Sequence, residues 1–181
     1  MKIEKSQYSK LWFWGIIVVG FLLPLAGEVV ADVTFKSTSI FEAIKRALPD
    51  FSAFPVPVVL LIWLLMLLWN DVPFIVLAVV ANYQSCKSIE QDSQIYIKII
   101  ASTIVATIMG FSTSIFIQFD AWSAAFRGEP GASTTPLIYI FLPFPVSIIM
   151  VVGYGLGWFI GMLIIWGRNK KSAEGKLNNA L

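Results

Sequence analysis

The sequence predicts an all-α integral membrane protein, a four-transmembrane-helix bundle of two helical hairpins with both termini in the cytoplasm. Three observations carry that expectation. Of 181 residues, 57% are hydrophobic and only 13% charged, with a mean hydropathy of +0.79; a soluble domain of this length needs far more polar surface to cover itself. Four apolar stretches are long enough to cross the ~30 Å hydrocarbon core, which takes roughly 20 helical residues. The basic residues then segregate. Lys2, Lys5, Lys10, Lys87, Lys98, Arg168, Lys170, Lys171 and Lys176 fall on the side of the termini, against Lys36, Lys45, Arg46 and Arg127 on the other. That asymmetry places the termini inside.

The first span covers 11–31. A lysine-rich start, an apolar core, and Val29 and Ala31 before Asp32 also have the layout of a cleavable signal peptide. The core is long for a signal and carries Trp14 and Glu28, so an uncleaved span is expected. In the outer loop 32–56, Ile40, Phe41, Ile44, Ala47 and Leu48 recur at helical spacing. They predict a short amphipathic helix lying on the membrane surface.

The second span covers 57–81 and contains LLMLLWNDVPFIVL. An Asn70–Asp71 pair followed by Pro73 reads as a turn in water, which would make it the tip of a re-entrant hairpin. That topology would move nine of the thirteen basic residues to the outside, against the charge rule. One long helix disturbed at Pro73 is expected instead, since proline removes a backbone donor and frees a carbonyl.

A cytoplasmic loop 82–96 follows, then a third span over 97–119. The outer loop 120–142 is rich in small and turn-forming residues. The fourth span covers 143–166, with Pro143 and Pro145 fitting its first turn. Trp12, Trp14, Trp122, Trp158 and Trp166 fall near predicted ends, as interfacial aromatics do; Trp69 does not.

A shift of the chain along itself by 88 residues brings Tyr8 and Lys10 onto Tyr96 and Lys98, and Asp32 onto Asp120. It also brings Pro55, Pro57 and Val58 onto Pro143, Pro145 and Val146. A duplicated hairpin and convergent helix punctuation both account for this.

Asp71 is the sharpest candidate site residue. A charge at the bilayer centre costs roughly 2.5 to 3.5 kcal/mol on insertion scales, and no Lys or Arg is expected at its depth. It reads as a proton or cation site, or as a polar pair near a kink that reaches water. Thr103, Thr107, Gly110, Ser114 and Gln118 share one face of the third span and offer it hydroxyl and amide partners; packing is the simpler role for that stripe. Gly153, Gly157 and Gly161, spaced by four, form a glycine zipper suited to close helix contact within the chain or with another protein. Glu28 and Asp32 share a face near the outer end of the first span and read as interfacial acids facing water.

The chain has no histidine and a single cysteine, Cys86. Histidine-based acid–base chemistry, serine triads and dithiol exchange all lack their groups, and no phosphate-binding loop or metal motif is present. No enzymatic activity, cofactor, metal or nucleic-acid partner is expected. A small inner-membrane protein that binds, inhibits or stabilises another membrane protein is. Four spans, cytoplasmic termini and this length resemble, in outline, the immunity proteins that protect bacteria against pore-forming colicins, although no motif carries that resemblance residue by residue. The alternative is a small oligomeric transporter or channel with Asp71, Thr103, Thr107 and Ser114 on a proton or cation pathway.

Overall fold

In the computed structural model the backbone is described over residues 2–48, 55–91, 93–129 and 137–178. The side chains of 1–12, 87–93 and 171–181 lie outside the described set, and with them Trp12, Lys2, Lys5, Lys10, Lys87, Lys171 and Lys176. Among the described residues six helices follow in order: α1 (Lys2–Lys36), α2 (Ile40–Ala47), α3 (Val56–Gln91), α4 (Ser93–Phe126), α5 (Ile138–Phe141) and α6 (Pro143–Asn178). Within them Phe13–Lys36, Val56–Cys86, Gln94–Phe126 and Ile138–Lys170 are long and apolar enough to cross a membrane. The protein is a four-helix membrane bundle.

The helices outrun the expected spans because a fall in hydropathy marks the edge of the bilayer, not the end of a helix. The expected loop 82–96 is helical up to Gln91 and again from Ser93. No glycine or proline lies between Pro73 and Gly110 to stop it. Where α4 does end, it ends on a glycine. Gly128 takes φ +68°, and its N–H reaches Ala125 O at 3.2 Å while that of Glu129 reaches Ala124 O at 3.1 Å. Satisfying the last carbonyls through a left-handed residue suits glycine. Helix α3 runs unbroken through Pro73, so the NDVP segment is no hairpin tip.

The short α2 begins at Ser39, whose side chain accepts from Glu42 N at 3.3 Å, an N-cap that satisfies an otherwise orphaned donor. Ala43 and Ala47 face the bundle, while Ile40, Phe41, Ile44 and Leu48 are exposed. Those four residues are the apolar face available to lipid.

The bundle is arranged so that α1 packs against α3 and α4, and α4 packs most extensively against α6. Its interior joins Ile16, Leu23, Phe74, Leu77, Ala106, Val146 and Met150 with Asn70, Asp71, Thr103, Thr107, Ser114 and Gln118. The outward faces carry Leu, Ile, Val and Phe. Apolar residues gain little from meeting one another when the solvent is lipid, so small and polar groups take the helix contacts.

The α4–α6 contact shows this most directly. A Cβ on Gly153 would lie 2.9 Å from Ala106 Cα, and one on Gly161 would lie 2.7 Å from Lys98 Cα. Between them, a Cβ on Gly157 would stand 2.5 Å from Ala101 O. The three glycines therefore face α4 within the chain, and that ridge is closed to an outside helix. Trp69 also finds its place. Its Nε1 donates to Ile140 O at 3.0 Å, beside the α5–α6 junction.

Candidate functional site

Pro24 lies inside α1 and has no N–H for the carbonyl four residues earlier, that of Gly20. Gly20 has no side chain either, and the space is filled from α3. A Cβ on Gly20 would fall on Asp71 Oδ1 and within 2.9 Å of Phe74. Asp71 is wholly buried, and neither of its oxygens has a hydrogen-bond partner among the described residues. Phe74, one turn along, stacks on Phe111 of α4 with ring centroids 4.8 Å apart. Gly110 admits that ring: a Cβ there would lie 3.3 Å from Phe74 Cε1 and 2.6 Å from Met150 Cγ. Asp71 does not reach water; it is sealed.

The polar stripe of α4 does not serve it. Thr103 Oγ1 donates to Ile99 O at 2.8 Å and Thr107 Oγ1 to Thr103 O at 2.7 Å, so both hydroxyl protons stay on their own helix. Gln118 works against α1 instead. Oriented by its partners, its amide nitrogen donates to Pro24 O at 2.8 Å and Leu23 O at 3.3 Å, and its oxygen accepts from Ser114 Oγ at 3.0 Å. Gly27 gives it room, since a Cβ there would lie 2.6 Å from Gln118 Cβ. Thr103 and Thr107 bond within their own helix, Gly110 makes room for aromatics, and Ser114 and Gln118 tie α4 to α1: the stripe serves packing, the simpler of its expected roles, and supplies no partner to Asp71 among the described residues.

Asn70 parts company with Asp71, because successive helical residues point about 100° apart. Its Nδ2 donates to Met66 O at 2.7 Å. Its buried Oδ1 has no partner among the described residues, and Asn70 as a residue borders a cavity of about 110 Å³ together with Pro24, Glu28, Trp63, Met66 and Tyr139. A second cavity, of about 240 Å³, lies on the side of the chain termini and is lined by Phe13, Ile16, Ala78, Asn82, Ser85 and Thr103 among others. Asp71 stands between the two. Along α1, Ile16 borders the terminal cavity, Gly20 meets Asp71, and Pro24 borders the α2-side cavity. Each step is four residues, or about 6 Å.

Glu28 and Asp32 do not form the expected exposed acidic pair. Asp32 is buried and clamps α2: Arg46 Nη1 donates to its Oδ2 at 3.4 Å and Thr38 Oγ1 to the same oxygen at 3.0 Å. Lys36 Nζ approaches Oδ1 at 3.1 Å as an ion pair without an aligned hydrogen bond. Glu28 instead borders the α2-side cavity. Among the described residues no three His, Cys, Asp or Glu side chains converge in a way that could hold a metal ion.

Several site residues escaped the sequence reading. Gly20 and Gly27 carried a signal in their seven-residue spacing around Pro24, which puts two side-chain-free positions on one face of α1. Ser102, wholly buried with an unpartnered Oγ, lies under Gly157 and was masked by Thr103 beside it. Trp63 and Tyr139 carried no signal beyond being aromatic. Comparison with known proteins found no matching family model, no curated protein and no solved structure similar to this chain.

Proposed function

We propose that the protein is a multi-pass inner-membrane protein without catalytic chemistry, with both termini cytoplasmic, that binds a proton or small cation at Asp71 on a route between two interior half-cavities. The observation that carries this is a fully buried carboxyl with no partner on either oxygen among the described residues, at a level of α1 between those of the two cavities. A structural carboxyl is normally paired or hydrogen-bonded, and an intramembrane ionisable group by default marks function. The stacked Phe74–Phe111 pair beside it and the narrow contact with Gly20 would act as the seal that a passing ion or proton has to open. Orientation rests on the nine-to-four division of basic residues. A homo-oligomer is the proposed working unit, since four helices enclose little aqueous space.

Purified protein reconstituted in liposomes with an internal pH-sensitive dye tests the reading. Proton flux above protein-free liposomes is expected, and is expected to be lost in Asp71→Asn. No flux under any imposed gradient of protons, sodium or potassium sinks it.

A second reading, an immunity-like or accessory protein that holds another membrane protein, is favoured by a different feature. An apolar groove of about 290 Å³ lies between α3 and α6, lined by Val72, Pro73, Val76, Met150 and Val151 among others. Such a groove suits a transmembrane helix. Co-purification from native membranes tests it: a stoichiometric membrane protein that is lost on Val76→Trp supports this reading, and recovery of a lone oligomer rejects it.

A further inference from the structure

Asp71 is the most completely buried ionisable side chain among the described residues, and its surroundings narrow what it can bind. The backbone of Gly20 passes so close that a Cβ there would fall on Oδ1, so on that side not even a methyl group fits. Phe74, one turn along α3, is itself buried and closes the next position by stacking on Phe111. Both carboxyl oxygens are buried, and neither has a partner among the described residues. Thr103 and Thr107 are turned to the carbonyls of their own helix, and Ser114 and Gln118 are engaged with α1. Asp71 borders neither half-cavity nor the flank groove. Counter-charge is missing as well. The ion pairs of the described residues go to Asp32 and Glu129, and Lys98 lies over the ring of Trp158.

We infer that the ligand of Asp71 is a proton alone, carried on the carboxyl as neutral –COOH in the sealed state, and that lithium, sodium and potassium are excluded. This rests on the reading of Asp71 as the ion-binding residue and narrows it from a proton or small cation to one of the two. A dehydrated alkali cation has to be surrounded by oxygens that replace its hydration shell. Asp71 offers the oxygens of one carboxyl, and the walls about them are the backbone of Gly20 and the side chain of Phe74, which leave no room for an ion. A proton needs no such room. It forms one O–H bond on Oδ1 or Oδ2, leaves its donor water in a half-cavity as hydroxide, and cancels the charge. Charge is the second discriminator: a carboxylate buried with neither donor nor counter-ion is costly, and such a group neutralises instead. The neutral acid is the form that the contact with Gly20 and Phe74 accepts. Exchange of its proton requires Gly20 and Asp71 to part far enough for cavity water to reach the carboxyl.

The test is infrared spectroscopy of the full chain in phosphatidylcholine liposomes at neutral pH, wild type beside Asp71→Asn. A protonated-carboxyl C=O stretch is expected in the wild type and missing from the variant. It is expected to move to lower frequency in heavy water, because a working proton site exchanges with cavity water. Lithium, sodium or potassium chloride at high concentration should leave it unchanged. Circular dichroism and a monodisperse elution profile establish the fold of the variant. Should Asp71→Asn fail to fold, wild type carrying aspartate isotopically labelled at its side-chain carboxyl carbon replaces it; the band of Asp71 then shifts and that of any glutamic acid does not. Absence of an aspartic acid band overturns the inference. So does its replacement by carboxylate bands on addition of any of the three salts, which would mark a cation site. A band that keeps its place after prolonged exchange in heavy water overturns it too, as a structural carboxyl. Liposome flux separates this inference from the transport reading. Sodium or potassium flux that depends on Asp71, with no acid band, refutes the narrowing and leaves a cation route standing. No flux of any ion, with an exchanging acid band present, refutes the route and leaves the proton site standing.

Discussion

The carboxylate of Asp71 stands where Gly20 would carry its side chain. Two sequence features far apart in the chain, a glycine one turn before Pro24 and an acid two residues before Pro73, prove to be one contact between α1 and α3.

Gly20→Ala should therefore destabilise the bundle. The added methyl meets Asp71 and Phe74 together, and overpacking of this kind costs about 1 to 3 kcal/mol. Thermal unfolding in detergent measures it. Asp71→Ala in the same chain should recover part of the loss and not all of it, because Phe74 remains in the way; strict additivity of the two changes would deny the contact.

Gly157→Ala and Gly155→Ala make a matched pair. At Gly157 the new Cβ meets the backbone of Ala101 and Ser102, whereas at Gly155 nothing lies within 4 Å. Backbone cannot rotate aside, so the first variant should lose about 1 to 3 kcal/mol. The second should be neutral or gain up to about 1 kcal/mol from the better helix propensity of alanine. Equal melting temperatures for the two variants would count against the close α4–α6 approach.

Gln118→Leu keeps the volume and removes the bonds to the carbonyls of Leu23 and Pro24. A loss of about 1 to 2 kcal/mol is expected, again by thermal unfolding. Thr103→Val should cost less, because the hydroxyl it removes serves only its own helix.

Asp32→Ala should act locally. It leaves Lys36 and Arg46 without their shared partner, but their side chains are 42% and 53% exposed and stay solvated, so about 1 kcal/mol at most is at stake. Hydrogen exchange should rise over 40–47 while the transmembrane helices keep their protection. A global rise would mean that Asp32 holds more than α2.

The four spans were legible in number, order and class because hydropathy over a span is a sum, insensitive to rotation; the one-turn α5, inside the outer loop expected over 120–142, was not. Helix ends were less so. Residues 82–91 are polar, which locates the membrane edge, but a helix in water stops for glycine or proline and none is there. The site was legible in its residues and not in its pairings. Asp71, Thr103 and Gln118 all proved to be interior. Which of them meet depends on the rotation of each helix about its axis, set by contacts such as Gly27 with Gln118 that no local pattern records. Asn70 and Asp71 illustrate the limit: adjacent in sequence, they serve different spaces.

The glycine contacts between α4 and α6 have a mechanical consequence. Where two backbones touch, a sliding motion has no side-chain layer to absorb it, so this hairpin behaves as a rigid post. Helices α1 and α3 are built the other way. Each carries a proline in mid-membrane, and cavities lie at both ends of their shared face. Compliance is thus concentrated in one half of the molecule. Movement that opens the space around Asp71 should therefore fall on α1 and α3 more than on the α4–α6 pair, a contrast that faster hydrogen exchange in the first pair would show.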